Sequence, residues 1–450
     1  MAQPRGVGSA FVLAYGAAHG AKSLIWHASG LMFAFFLTEA VGLSPSHAGL
    51  ILALSLLLNA AMDLILGWTI RHAVTTTDTA ARLQAIGSVA TGLTLVIFAS
   101  AGLLPEPLQF GFALASILAF RCAYPLLDNP QNAILAFATR DNGGRARVAS
   151  TRYIVGGSAN LVLATLFAPM MINVAAATQS FRFWCLCLVL AALTIATAIH
   201  LHLHVRRHPD VRIVGTAKAR MRSSGPADVA RVAPFAIFAM AFSLSASGPI
   251  FSRLNPYFAA FAIRDVFDAG LILSAAAVGS LVSQFGWSRL AQSWSLISVL
   301  RAALLTTIAG ATLFYLGAAQ GGAVAALCVA LYGIGCGGVM MSIWSLLAGV
   351  ASAPGSWFPG TAAFGVYTCC SKVGHAMSAG LVGLILAGLD YRVQAVASGP
   401  LVAWMAAVPI LGMSLVAILS LRFDDRPQNG LEGRDTHRHA VASAPESVRL

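Results

Sequence analysis

Twelve runs of twenty or more mostly apolar residues follow one another along this chain, with short breaks between them. A run of that length carries an α-helix across a bilayer. Inside a bilayer only helices or a closed barrel can satisfy their own backbone groups. The runs cover 11–40, 47–70, 83–103, 108–137, 149–176, 182–204, 231–261, 267–290, 297–318, 321–350, 360–389 and 398–422. Only 10% of the 450 residues are charged and 58% are hydrophobic, against about 25% charged in soluble domains. A soluble fold has nowhere to place so much apolar surface. The expectation is an all-α membrane protein of twelve transmembrane helices.

The longest break divides the runs six and six. It carries Arg206, Arg207, Arg212, Lys218, Arg220 and Arg222. The chain is therefore expected to form an N-terminal six-helix bundle over 1–204, a basic cytoplasmic linker over 205–230, a C-terminal six-helix bundle over 231–422 and a polar, disordered cytoplasmic tail over 423–450. A faint repeat agrees with two related halves: Gly49-Leu50-Ile51-Leu52 precedes Gly67-Trp68, and Gly270-Leu271-Ile272-Leu273 precedes Gly286-Trp287. The formal net charge is +12, concentrated in short loops. Arg71, Arg82, Arg140, Arg145, Arg147, the linker, Arg289 and Arg301 fall on one side. Glu39, Glu106, Arg182, Arg264, Asp265, Asp268, Asp390 and Arg392 fall on the other. The basic side is the cytoplasmic one, which places both termini in the cytoplasm and the protein in the cell inner (plasma) membrane. Anionic lipid accounts for the basic charge, and no nucleic-acid partner is needed.

Catalytic signatures are missing. No GxxxxGK[ST] loop, HExxH helix or GxSxG elbow occurs, so neither an ATP-driven pump nor a hydrolase is expected. The seven cysteines sit mostly within apolar runs without metal-ligand spacing. No enzyme activity, cofactor or bound metal is expected.

Charges inside the apolar runs carry the functional signal: Lys22, Asp63, Arg121, Asp128, Arg152 and Lys372. Each costs about 2.5–3.5 kcal/mol at a bilayer centre on insertion scales, so such groups face a cavity and pair with one another. Two of the three lysines of the whole chain lie here, and lysine, unlike arginine, can release its proton when desolvated. Asn59 and Asp63 are four apart and share a helix face. Arg121 and Asp128 are seven apart, a spacing that fits either a static ion pair or a working site. Pro125, Pro130, Pro249 and Pro256 are expected to break their helices where neighbours can satisfy the freed carbonyls. His27 and His375 could carry protons but fit packing roles better.

Several stretches resemble one known family. They are Phe35–Ser44, Asn59–Gly67, Leu127-Asp128-Asn129-Pro130 through Arg152-Tyr153, and Ser371-Lys372-Val373-Gly374 followed by Ala379–Gly383. Together, in that order, they resemble the glycoside–pentoside–hexuronide:cation symporters, the family of melibiose symporters. The resemblance implies the major facilitator fold. It implies that Asp128 serves both sugar and cation sites, that Arg152, Lys22 and Lys372 line the site, and that Asn59 and Asp63 occupy the positions of an acidic cation-binding pair. The sequence departs from the pattern in four places. Asn59 replaces an acid, Ser23 replaces the sugar-binding acid after Lys22, Asn132 replaces a sugar-packing aromatic, and Met62 supplies no oxygen. The loop 351–360 is short and uncharged where the family carries acids.

These readings converge on a secondary active transporter that moves a small polar solute, such as a sugar or sugar acid, by alternating access. The expected substrate-binding residues are Asp128, Arg152, Lys372, Lys22, Ser23 and Asn132. The expected coupling residues are Asp63, Asp128, Asn59 and Lys372. With Asn59 in place of an acid, a proton is the expected coupling ion and sodium the alternative. Asp128 is expected to pair with Lys372 when the site is empty. The partners expected are the solute and the bilayer, with the protein a monomer. The alternatives are an uncoupled facilitator or exporter, a carrier of an amphipathic, lysolipid-like solute, and a non-transporting assembly or sensor protein.

Overall fold

The structure, a computed structural model, describes residues 9–69, 74, 76–138, 142–167, 169–172, 174–208, 229–263, 265–352, 361–392 and 399–423. The first half is built from α1 (Ser9–Leu31), α2 (Pro45–Thr69), α3 (Thr77–Ala99), α4 (Glu106–Ala138), α5 (Asn142–Val162) and α6 (Ala176–Arg207). The second half comprises α7 (Val229–Phe261), α8 (Val266–Val282), α9 (Gln284–Ser293), α10 (Leu296–Gly317), α11 (Gly322–Ser352), α12 (Thr361–Ala387) and α13 (Pro400–Ser420). Ten helical spans among the described residues are long and apolar enough to cross a membrane, one of them formed by α8 and α9 together. The helices α1 and α5 fall short of that: α1 carries His19, Lys22 and His27, and α5 carries Arg145, Arg147 and Arg152. Lipid-facing positions are apolar, as at Leu13, Leu93, Leu305, Leu327 and Leu411.

Helices of each half pack on one another. In the first bundle α1 lies against α5 and α6, α3 against α4 and α6, and α2 against α4. In the second, α10 lies against α11 and α13, α8 against α11, and α7 against α12 and α13. The bundles meet along two seams, α2 on α12 and α5 on α8. Counting α8 and α9 as one span, these are spans two on eleven and five on eight.

The structure moves several expected boundaries. The segment Arg145–Arg147, expected as a loop, is helical from Asn142. Its alanines and arginines favour helix, and the two glycines fall in the first turn, where N–H groups have no intrahelical partner anyway. Helix α3 starts six residues early because Thr76 and Thr79 form a capping box. The first expected run, 11–40, stays helical only with a change of winding: a π-helical turn spans Phe36–Ala40. The eighth run is interrupted at Ser283, whose hydroxyl bonds back to the Ser280 carbonyl at 3.1 Å. The sixth helix runs to Arg207 and the seventh begins at Val229. Most of the expected linker, most of the 351–360 loop, nearly all of the tail, and Arg71, Arg140 and Arg264 lie outside the described residues.

The prolines do not break α4, which continues through Pro125 and Pro130. Each removes one N–H and frees the carbonyl four residues earlier. The carbonyl freed by Pro125 belongs to Arg121, and Asn59 Nδ2 donates to it at 3.1 Å. At Leu126, whose carbonyl Pro130 frees, α3 approaches so closely that a Cβ on Gly87 would overlap the peptide. The neighbouring α2 thus supplies the donor that Pro125 removes, and α3 packs tightly on α4 at Leu126.

Candidate functional site

Two lysine–aspartate pairs occupy the middle of the molecule. Lys22 on α1 donates to Asp128 on α4 at 2.5 Å, and Lys372 on α12 donates to Asp63 on α2. The lysines are buried, while the Asp128 side chain keeps 21% exposure. The expected Asp128–Lys372 pair is therefore not the one formed. The reason is the packing: α2 lies directly on α12, so Asp63 reaches Lys372 first, and α1 delivers Lys22 to Asp128 within its own bundle. Lys372 and Arg152 both remain within electrostatic range of Asp128. The predicted charges thus form one cluster with different partners.

Arg121 is not part of it as an ion pair. Seven residues separate it from Asp128, about 10 Å along a helix axis, and its guanidinium lies over the Phe120 ring at 5.2 Å. Asn59 is fully buried with Nδ2 committed to the Arg121 carbonyl. Its Oδ1, like Asp63 Oδ1 one turn away, has no partner among the described residues. The Ser23 hydroxyl is committed to its own helix, donating to the His19 carbonyl at 2.7 Å. Asn132, one turn beyond Asp128, is half-buried with an unpartnered Oδ1.

Three features escaped the sequence reading. Arg253 on α7 is buried and donates to the His375 carbonyl at 2.9 Å. Its signal was available, a lone arginine between Pro249 and Pro256 in an apolar run. An aromatic wall links the halves: Trp26 stacks on Tyr124 at 5.9 Å and meets His375 edge-on at 6.0 Å. Lys372 Nζ lies 5.9 Å from the Trp26 ring centroid. No spacing rule predicts that wall, because its members come from α1, α4 and α12.

The third is a closure at the end away from the basic loops. Thr38 and Tyr257 share a hydrogen bond of 2.8 Å between the π-turn after α1 and α7. Glu39 accepts from Tyr391 at 2.7 Å and from Arg392 at 3.0 and 3.2 Å. Below them, a Cβ on Gly49 would lie 2.7 Å from Gly383 Cα, so α2 and α12 touch backbone to backbone. Glu39 and Arg392, expected only as loop charges, join the two halves.

Among solved structures, the chain is similar to a D-xylose-proton symporter, with 13% identity over 94% of this chain and 99% of that one, at a TM-score of 0.64. It is similar to a POT family transporter in complex with 5-aminolevulinic acid, with 13% identity, 91% and 94% coverage and a TM-score of 0.64. A nucleoside transporter is likewise similar, with 14% identity, 91% and 97% coverage and a TM-score of 0.60. At these identities the likeness establishes the fold. No curated protein matches the chain. The family model described as MFS/sugar transport protein matches residues 14–424. With that match over nearly its whole length, the chain belongs to the MFS/sugar transport protein family.

Proposed function

We propose that this protein is a proton-coupled secondary active transporter of the inner (plasma) membrane. It moves a small polar solute, such as a sugar or sugar acid, by alternating access, with the basic end and both termini cytoplasmic and one chain as the working unit. The observation that carries this reading is the Asp63–Lys372 pair, because it joins the two bundles. A proton on Asp63 removes the Coulombic attraction and leaves Lys372 free for solute or water. The α2–α12 seam is then weakened at one end, which favours rocking of one bundle against the other around a midplane site. Asp128, in range of Lys22, Lys372 and Arg152, makes solute binding and Asp63 protonation sense each other.

A proton suits the α2 face better than sodium. Asp63 is the one carboxylate on this face, its charge is already paired with Lys372, and Asn59 offers a neutral amide oxygen in place of a second acid. A sodium ion takes several oxygen ligands and compensating negative charge, and this face supplies a single carboxylate that is already paired.

The test is uptake into proteoliposomes with an imposed pH gradient, using whichever radiolabelled sugar or sugar acid stabilises the purified protein. Wild type should accumulate it when the outside is acid, with or without sodium. Asp63→Asn should abolish accumulation while retaining downhill exchange. Accumulation that requires sodium, or that ignores the pH gradient, would sink proton coupling.

A further inference from the structure

Five cations lie within the membrane-spanning helices at the centre, Lys22, Arg121, Arg152, Arg253 and Lys372, against the carboxylates Asp63 and Asp128. The two carboxylates are taken by the two lysines. Arg121 and Arg253 are left at 1% and 4% exposure. Two of the three guanidinium nitrogens of Arg121, Nε and Nη1, are buried with no hydrogen-bond partner among the described residues. Among the described residues, Arg253 has one hydrogen bond, to a backbone carbonyl that carries no charge. Each arginine is within electrostatic range of His375, and Arg253 is within range of Arg121, so the local field is positive. Among the described residues, the carboxylate in range of Arg121 is Asp63, already held by Lys372.

Isolated buried charge of this kind costs several kcal/mol, and two like charges together cost more. A static scaffold would satisfy the same packing with apolar side chains. The arginines come from opposite bundles, α4 and α7; Trp26 stacks on Tyr124, one turn from Arg121, and meets His375, whose carbonyl Arg253 holds, while Lys372 Nζ lies over the same Trp26 ring. Along α4, Arg121 lies nearly two turns closer to the closed end than Asp128. The molecule therefore has two levels: a charge-balanced one at the lysine–aspartate pairs and an unbalanced cationic one nearer the closure.

We infer that Arg121 and Arg253 form an oxyanion-binding element shared by the two bundles, which holds a carboxylate or phosphate group of the transported solute while Trp26 and Tyr124 pack against its body. This deepens the transporter reading above and rests on it. The bound oxyanion supplies the acceptors that Arg121 lacks, and its charge offsets the pair. Because one arginine belongs to each bundle, the anion bridges the halves only while they are close together, so binding at this level favours the state closed at this end.

The inference is tested on the purified full-length chain by thermal shift and direct binding. The probes are sodium acetate, sodium phosphate, sodium glucuronate and glucose 6-phosphate, with sodium chloride and glucose as controls. Oxyanions should raise the melting temperature of wild type, and chloride and glucose at matched concentration should not. Response to glucuronate but not glucose 6-phosphate assigns a carboxylate, and the reverse assigns a phosphate. Arg121→Gln and Arg253→Gln should each weaken the binding about tenfold or more. Arg121→Met and Arg253→Met should leave the empty protein at least as stable as wild type, because each removes an uncompensated buried charge. Failure of every oxyanion to shift wild type overturns the inference. So does an equal shift by chloride, or a fall of several degrees in both methionine variants with oxyanion binding intact. Proton-driven uptake of a neutral sugar with no oxyanion effect would leave the transporter standing and remove only this element.

Discussion

At the scale of single residues, the molecule is explained by which polar group answers which. Lys22 is buried and its ammonium answers Asp128. Asp128→Asn should lower stability by about 3–5 kcal/mol, because it strands a buried ammonium. The double variant Lys22→Met with Asp128→Asn should recover most of the lost melting temperature and none of the transport. Asn59 has a second, separable duty. It satisfies the Arg121 carbonyl that Pro125 frees, so Asn59→Leu should cost about 1–3 kcal/mol. Adding Pro125→Ala restores the helix's own donor and should return most of that loss, a coupling that a melting-temperature cycle measures directly. The charged positions were legible in the sequence, because charge in an apolar run stands out. Their partners were not, since pairing depends on which helices touch. Arg253 was legible in principle by the same rule.

At the scale of elements, close approach of helices decides where the halves meet. The crossing of α2 and α12 at Gly49 and Gly383 leaves no room for a side chain on either. Helices without a hydrophobic drive to associate gain from such backbone contact. Gly383→Val should push the seam apart at the closed end. In a background without native cysteines, a cysteine at position 38 should then react faster with a membrane-impermeant maleimide added from that side. An unchanged rate would mean that α2 and α12 yield elsewhere. The apolar helices were legible by length and composition. The polar pair α1 and α5 were legible as runs, but their starts and windings were not, since caps and the π-turn at Phe36–Ala40 are settled by local contacts.

At the scale of the whole molecule, the structure is of the state closed at the end away from the basic loops. The Glu39–Arg392–Tyr391 contact and the Thr38–Tyr257 bond span the two halves there. Charge-assisted bonds of this kind contribute about 1.5–3 kcal/mol. Glu39→Gln should therefore shift the balance toward the open state by roughly tenfold to a hundredfold. The same cysteine-labelling rate at position 38 reads that shift, and Arg392→Gln should reproduce it. If neither variant changes the rate, the closure is held by the α2–α12 seam alone.

The sequence by itself determined that this chain crosses a membrane repeatedly as helices, and that a handful of charges lies where charge is expensive. Both follow from local chemistry: apolar run length, and the contrast of a charge with its neighbours. Only the tertiary structure decided that Asp63 answers Lys372 and Lys22 answers Asp128. It alone showed that Asn59 mends the gap left by Pro125, that Glu39 closes one end against Arg392, and that Arg121 and Arg253 lie in each other's field with no carboxylate bonded to either among the described residues. Each of those joins residues more than sixty positions apart. Their meeting is set by how the helices pack, and no local pattern records that.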